Sequence, residues 1–279
     1  MLFWACFLGF IAGDDYFHDP WAKGKIHTTT IETAQDPSIQ VVAKGKAGNM
    51  ELRAAGTPQT GSARVNYQKG FGFVEYDHQL QTLTFEGSRR FSFNRTSKKV
   101  MRTAPYVEVK LPTGAVVDLD VHTHDLGYGS FDFRDLSVSR LVLDVNYGDI
   151  DFHFPTENTS VIRDEVLFHL MAGDLELEQL GNLKASKIKI NGGVGELSLD
   201  FGPQLRMDTD VSFDHDIGRV DVSIPKGTHV IVKGTNRNLQ SYNLDQVGTY
   251  WETTNHASER PILTLDMRGP IGGLDIQWK

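Results

Sequence analysis

Thiol chemistry is almost absent from this chain, which has one cysteine, Cys6. No intramolecular disulfide can form, so a small secreted scaffold stapled by disulfides is excluded. A zinc site built from several thiolates is excluded with it. Proline is scarce at 10 residues, and helical periodicity is scarcer still, since the long amphipathic stretches of a helical protein are missing. Positive charge is in deficit: 28 Lys and Arg face 36 Asp and Glu, a net charge of −8, which argues against a general nucleic-acid binder. No G-x-S-x-G, H-E-x-x-H or P-loop sequence occurs, so the hydrolase, metalloprotease and nucleotide-binding signatures are lacking. Nothing in the sequence nominates a cofactor.

Long hydrophobic runs are lacking too. Leu2 to Ala12 is 11 uncharged residues followed by Asp14 and Asp15. That is short of the roughly 20 residues a membrane-spanning helix needs, but it suits the apolar core of an export signal. Ala12 and Gly13 supply small residues for cleavage, although a basic segment before the apolar core is missing. Residues 1–13 are therefore expected to be a signal segment, with the rest extracytoplasmic and no transmembrane span.

Glycine is plentiful at 27 residues, and period-two alternation is everywhere. Leu141, Leu143 and Val145 hold alternate positions, Tyr147-Gly148-Asp149 interrupts, and Ile150, Phe152 and Phe154 resume with Asp151 and His153 between them. This reads as a strand, a bend and a second strand, each with one buried face. The unit recurs after Gly129, Gly173, Gly195, Gly218 and Gly273. From Gly129 through Gly148 to Gly218 the glycines are 19, 25, 22 and 23 residues apart, and the last gap, 55 residues to Gly273, has room for about two repeats and an insertion. A fixed period of this size means stacked units that bury one continuous core. The L-x-x-L-x-L signature of leucine-rich repeats is missing, so the expected fold is all-β, a β-solenoid of short strands with glycine turns. Glycine recurs where the chain needs a positive φ or a close approach of backbones.

Before residue 104 the pattern is less clean. Gly48 to Leu52 resembles one copy, Leu83 to Gly87 ends a strand, and Thr57 to Arg64 reads as an exposed loop. The expected division is residues 1–13, an N-terminal β portion at 14–104 and a repeating portion at 105–279.

Several clusters invite chemistry. His122 and His124 of His-Thr-His-Asp125 would share one strand face and could share a metal, but spacing supplies no further ligand, and a polar strand end is the favoured reading. Asp208, Asp210, Asp214 and Asp216, with His215 among them, do not match the nonapeptide calcium repeat; Asp208 and Asp210 read as a solvated face. Ser88 to Arg102 holds six basic residues and no acid, which suits either a charge-guarded edge strand or a stripe for an anionic surface. Asn94 and Asn158 lie in Asn-x-Ser/Thr sequences that chance supplies readily. No catalytic, cofactor or metal residue is assigned.

GVGELSLDF at residues 193–201, followed by IGRVDVSIPKGTHVIV at 217–232, resembles the toastrack domain. That domain is grouped with the adhesin-type and LiaF-like C-terminal domains of bacterial envelope proteins. Tyr250, Pro261 to Leu265 and Gly272 to Ile276 extend the likeness, which covers about residues 105–279. The resemblance implies an extracytoplasmic β-solenoid without assigned catalytic residues, hence a non-enzymatic, adhesin-like or scaffold protein of the cell envelope. LiaF-like members regulate envelope-stress signalling through N-terminal transmembrane helices, which this sequence does not show, so a signalling accessory is an alternative. A β-helix polysaccharide lyase or hydrolase is another, and it would need paired carboxylates facing one groove.

Overall fold

Alternating apolar and polar residues need one surface to bury and another to leave wet, and this chain meets that need by stacking strands. The computed structural model describes residues 26–33, 37–56, 62–68, 72–87, 106–234, 238–253, 261–269 and 272–279. Among these residues the chain is all-β, a branched 17-stranded sheet with short 3-10 turns at Leu180–Leu183 and Gln240–Tyr242 and no α-helix. The N-terminal strands are β1 (Ile26–Glu32), β2 (Ser38–Ala54), β3 (Ser62–Gln68), β4 (Gly72–Asp77), β5 (Thr82–Gly87) and β6 (Tyr106–Leu111). Next come β7 (Val116–Asp132), β8 (Ser137–His153), β9 (Val166–Ala172), β10 (Leu175–Glu178), β11 (Lys187–Asp200) and β12 (Thr209–Ile224). The last are β13 (His229–Lys233), β14 (Asp245–Val247), β15 (Tyr250–Glu252), β16 (Ile262–Arg268) and β17 (Gly273–Trp278).

Strands β2, β7, β8, β11 and β12, of 14 to 17 residues, feed two stacks, one through each half. The first halves build a parallel ladder in the order β5–β2–β7–β8–β9–β11–β12–β16–β13. The second halves build another, β6–β2–β7–β8–β10–β11–β12–β17. Strand β2 pairs with β7 in both. A parallel stack exposes hydrogen-bonding edges that must be blunted. Here β4 closes on β5, β15 and β14 on β13, and β3 and β1 on β6, all antiparallel. Over β17, Tyr242 Oη donates to Leu274 O at 2.9 Å, and Trp278 Nε1 donates to Tyr242 O at 2.8 Å.

The core lies between the stacks, in columns of residues paired strand to strand. One runs Phe85, Ala43, Val121, Leu143, Phe168, Ile190, Phe213, Met267. Its counterpart runs Val65, Val109, Leu52, Phe131, Phe152, Leu177, Leu199, Val222, Ile276. All are buried, each large aliphatic or aromatic side chain contributing roughly 1.5–3 kcal/mol of transfer free energy. On a further side, Asn158 accepts from Val138 N at 2.8 Å and donates to Val138 O and Leu183 O, while Asn182 donates to Phe154 O at 3.0 Å. The Asn158 side chain is thus a buried staple between layers and not a surface acceptor for sugar.

The repeated glycines sit where their freedom is used. Gly173, Gly195 and Gly218 have φ of +127°, +147° and +140°. A Cβ at Gly218 would overlap the carbonyl oxygen of Gly195, one at Gly195 that of Gly173, and one at Gly173 that of Gly148. Both reasons expected from the sequence, positive φ and close approach, operate together.

Two sequence expectations change. The 55-residue gap holds one excursion instead of about two repeats. The chain passes through β13, β14 and β15, then returns to place β16 between β12 and β13, and β17 directly on β12. Within the expected loop at Thr57 to Arg64, residues 57–61 lie outside the described part, while Ser62 to Arg64 already belong to β3 with Ala63 buried. The interior column supplies that position with an apolar neighbourhood, and strand pairing overrides the loop-like composition.

Candidate functional site

Along the second stack, residues alternating with the core column project outward and also pair in register. They form a second column: Glu108, Glu51, Ser130, Asp151, Glu176, Ser198, Asp221, Asp275. Neighbouring rungs of a sheet are about 4.8 Å apart, so carboxylates recur along the stack at that pitch or small multiples of it. Further acids flank the column: Asp149 and Glu196 on one side, Asp132, Glu178 and Asp200 on the other.

The ends of the column are neutralised. Glu108, buried at 3% exposure, binds Arg53 Nη2 at 2.6 Å, Lys110 Nζ at 2.9 Å and Asn66 Nδ2 at 2.6 Å. Burial alone would push its carboxyl up, but the bonds from Lys110, Arg53 and Asn66 outweigh it and hold the pKa below the ordinary value. At the other end Arg219 reaches Asp221 at 2.6 Å and Asp275 at 3.6 Å, and Lys279 reaches Asp200 at 3.1 Å. The middle lacks such compensation. Asp151 accepts from Tyr128 Oη at 3.0 Å, yet burial raises its pKa. Burial also raises Glu176, with Glu178 and Asp151 adding repulsion. Asp151 and Glu176 face each other in register, and among the described residues neither is paired with a Lys or Arg.

The first stack presents a different outer face. Lys44, His122, Asp144, His169, Asn191, Asp214 and Arg268 form one column. His122 and His124 are both exposed on this face, as the sequence suggests. His122 Nε2 lies 2.8 Å from Asp120 Oδ1, its Nδ1 3.3 Å from Asp144 Oδ2, and His169 Nδ1 is 3.1 Å from Asp144 Oδ1. His124 Nδ1 meets Asn146 Nδ2 at 3.0 Å. Sequence spacing missed Asp144 and His169 because they come from the next two strands. Among the described residues no group of three His, Cys, Asp or Glu is arranged to hold a metal ion.

The acidic run separates by face. Asp210, Asp214 and Asp216 are exposed, Asp208 accepts from Ile262 N at 2.8 Å, and His215 turns inward at 3% exposure. His215 lines a small cavity at the bend with Leu170, Ile190, Gly192 and Gly193. Its Nε2 lies 3.1 Å from Gly195 O. Burial lowers its pKa, although Gly195 O and Asp216 oppose the shift. The unfolded chain therefore takes up a proton near the ordinary histidine value of about 6.5 before the folded chain does. The stability linked to His215 is complete above that pH and is lost as pH falls toward the folded value. Between pH 7.5 and 5.5, the unfolding free energy of the wild type should fall more steeply than that of His215→Asn. Parallel slopes in chemical denaturation would show that His215 does not contribute this dependence.

The basic stretch 88–102, Asn94 and the segment 1–13 lie outside the described residues. Among the described residues no helix is long and apolar enough to cross a membrane.

No protein-family model and no curated protein matches this sequence. Solved structures do align with it. A putative cell adhesion protein from Clostridium sporogenes shares 12% identity over 92% of this chain and 100% of its own, with a TM-score of 0.44. A putative adhesin from Bacteroides fragilis shares 12% identity over 91% and 98%, at 0.36. A putative lipid binding protein from Parabacteroides distasonis shares 9% identity over 91% and 98%, at 0.28.

Proposed function

We propose that this chain is a non-enzymatic, exported cell-envelope protein, a β-solenoid that works by binding, in the manner of an adhesin or scaffold. The solenoid reading is supported by the registers. Leu177, Leu199 and Val222 pair in series, each from the next repeat of the sequence. The described part of residues 14–104 belongs to the same body in this reading, since β2 continues both parallel ladders onto β7. The export reading is supported by the apolar segment Leu2 to Ala12.

The observation behind the binding role is the carboxylate column with Asp151 and Glu176 at its centre. Both acids project from the same side of one open sheet. They are poorly placed to hold a sugar ring between opposed carboxyls, as a glycosidase must. They are well placed to attract a cationic surface along the stack. The partner is thus a positively charged envelope component or protein.

Oligolysine tests this charge reading directly. Asp151→Asn with Glu176→Gln should weaken its binding at low salt about fivefold, two surface ion pairs at roughly 0.5 kcal/mol each. Because both carboxyls hold their protons to higher pH than ordinary ones, wild-type binding should start to weaken on acidification before ordinary carboxylates titrate. Equal affinity of variant and wild type would remove the acidic face from the function. Export is tested separately by fractionating cells and sequencing the mature N-terminus. An intact Met1 in the cytosol overturns that part.

A further inference from the structure

Between the two outer faces, where the long strands bend, the alternation breaks and apolar side chains point outward. Tyr147 is 53% exposed, Met171 43%, Val194 39% and Ile217 62%. These residues are consecutive in space. Tyr147 pairs with Ala172, Ala172 with Val194, and Val194 with Ile217, while Met171 adjoins Ala172 in the chain. They make a straight apolar ridge spanning three rung steps, about 14 Å. Isolated exposed apolar residues are ordinary, but a contiguous line marks an interaction site.

We propose that this ridge docks a cationic amphipathic helix of a partner protein. The inference deepens, and rests on, the reading of the chain as a binder of a positively charged partner. Three features select this occupant. The ridge is bordered by exposed Glu196 and Asp216 and by half-buried Asp174, and Arg219 beyond Ile217 is engaged by Asp221 and Asp275. A ligand covering the ridge therefore meets carboxylates on its flanks and must carry positive charge. The same border opposes a second copy of this chain, which would bring acids against acids, and opposes an anionic lipid surface.

The ridge backbone is already paired within the parallel ladders. A partner cannot add a strand there and must dock through side chains. Successive ridge residues lie about 4.8 Å apart, close to the pitch of an α-helix, about 5.4 Å. Side chains at i, i+3 or i+4, and i+7 of a helix laid along the stack can meet successive ridge residues, whereas alternate residues of an extended strand, spaced about 6.7 Å apart, fall out of step.

The test uses the full chain and two probes, an amphipathic Leu/Lys peptide of about 14 residues and oligolysine of the same length. The Leu/Lys peptide is expected to bind more tightly than oligolysine and to become helical by circular dichroism when bound. Val194→Ser with Ile217→Ser should weaken the Leu/Lys peptide about tenfold and leave oligolysine unchanged. Leu80→Ser, at a residue 72% exposed elsewhere, should alter neither. Because Val194 and Ile217 are solvent-facing, the double variant should keep the wild-type denaturation midpoint. If the Leu/Lys peptide binds no better than oligolysine, ignores the ridge substitutions or binds without becoming helical, the ridge inference is overturned. The acidic-face reading then still stands if oligolysine binding responds to Asp151 and Glu176. Partition into anionic vesicles that is lost in the ridge variant would overturn the assigned partner in favour of a membrane.

Discussion

Gly195→Ala is expected to lose about 2–6 kcal/mol of folding stability, more than an added methyl group usually costs. Two penalties combine. At φ +147°, outside even the left-handed α region, an L-residue is strained by roughly 1–3 kcal/mol. The new Cβ would also strike the carbonyl carbon and oxygen of Gly173 in the adjacent layer, and relieving such overpacking costs typically about 1–3 kcal/mol. Neither obstacle can swing aside, because both atoms are backbone, in the bend between β9 and β10 where Gly173 N donates to Val194 O at 2.9 Å. Gly114→Ala is the matched control. Gly114 has φ +84° with nothing within 4 Å of its Cβ position, so it should suffer the backbone term alone, about 1–2 kcal/mol. Urea denaturation of the two variants separates the contributions. If they fall within about 0.5 kcal/mol of each other, the close approach between layers is not a source of stability.

Phe152→Ala should be comparably damaging, at about 3–5 kcal/mol. Phe152 is fully buried and stacks on Phe131 at 4.6 Å, with the rings 12° from parallel. It also meets Phe168 edge-on at 5.1 Å. Phe131 and Phe152 belong to the second stack and Phe168 to the first, so the ring holds the two sheets together across the core. Removal leaves a void that a rigid ladder cannot collapse to fill. Phe152→Leu keeps much of the volume and should lose distinctly less. A leucine variant as unstable as the alanine one would point to ring stacking, not volume, as the dominant contribution.

How much of this could be read beforehand depended on the distance between interacting residues. Leu197, Leu199 and Phe201 announce their buried face by alternation, and Gly173, Gly195 and Gly218 announce the bends by spacing. Both signals are local or simply periodic. The carboxylate column is neither. Asp151 and Glu176 look like ordinary solvated residues in their own strands, and only parallel registration places them side by side. His122 likewise gains Asp144 and His169 from strands that local spacing does not reach. The ridge was hidden for a different reason: Tyr147, Val194 and Ile217 are residue types that usually fill cores, and the bend reverses which way they point. Composition also misled at Ser62 to Arg64, where turn-like residues lead into a capping strand.

The glycine contacts between layers also bear on how such a chain can change length over time. Inserting one residue between Gly195 and Leu199 would turn each following side chain to the opposite face, carrying leucines into water and acids into the core. Deleting one whole layer, by contrast, would bring together strands that already share the same columns. Gains and losses should therefore be tolerated in complete layers, or in excursions such as the one between β13 and β16 that bypass the columns. The protein's length is in this sense quantised, and each added layer would lengthen its outer faces by one rung.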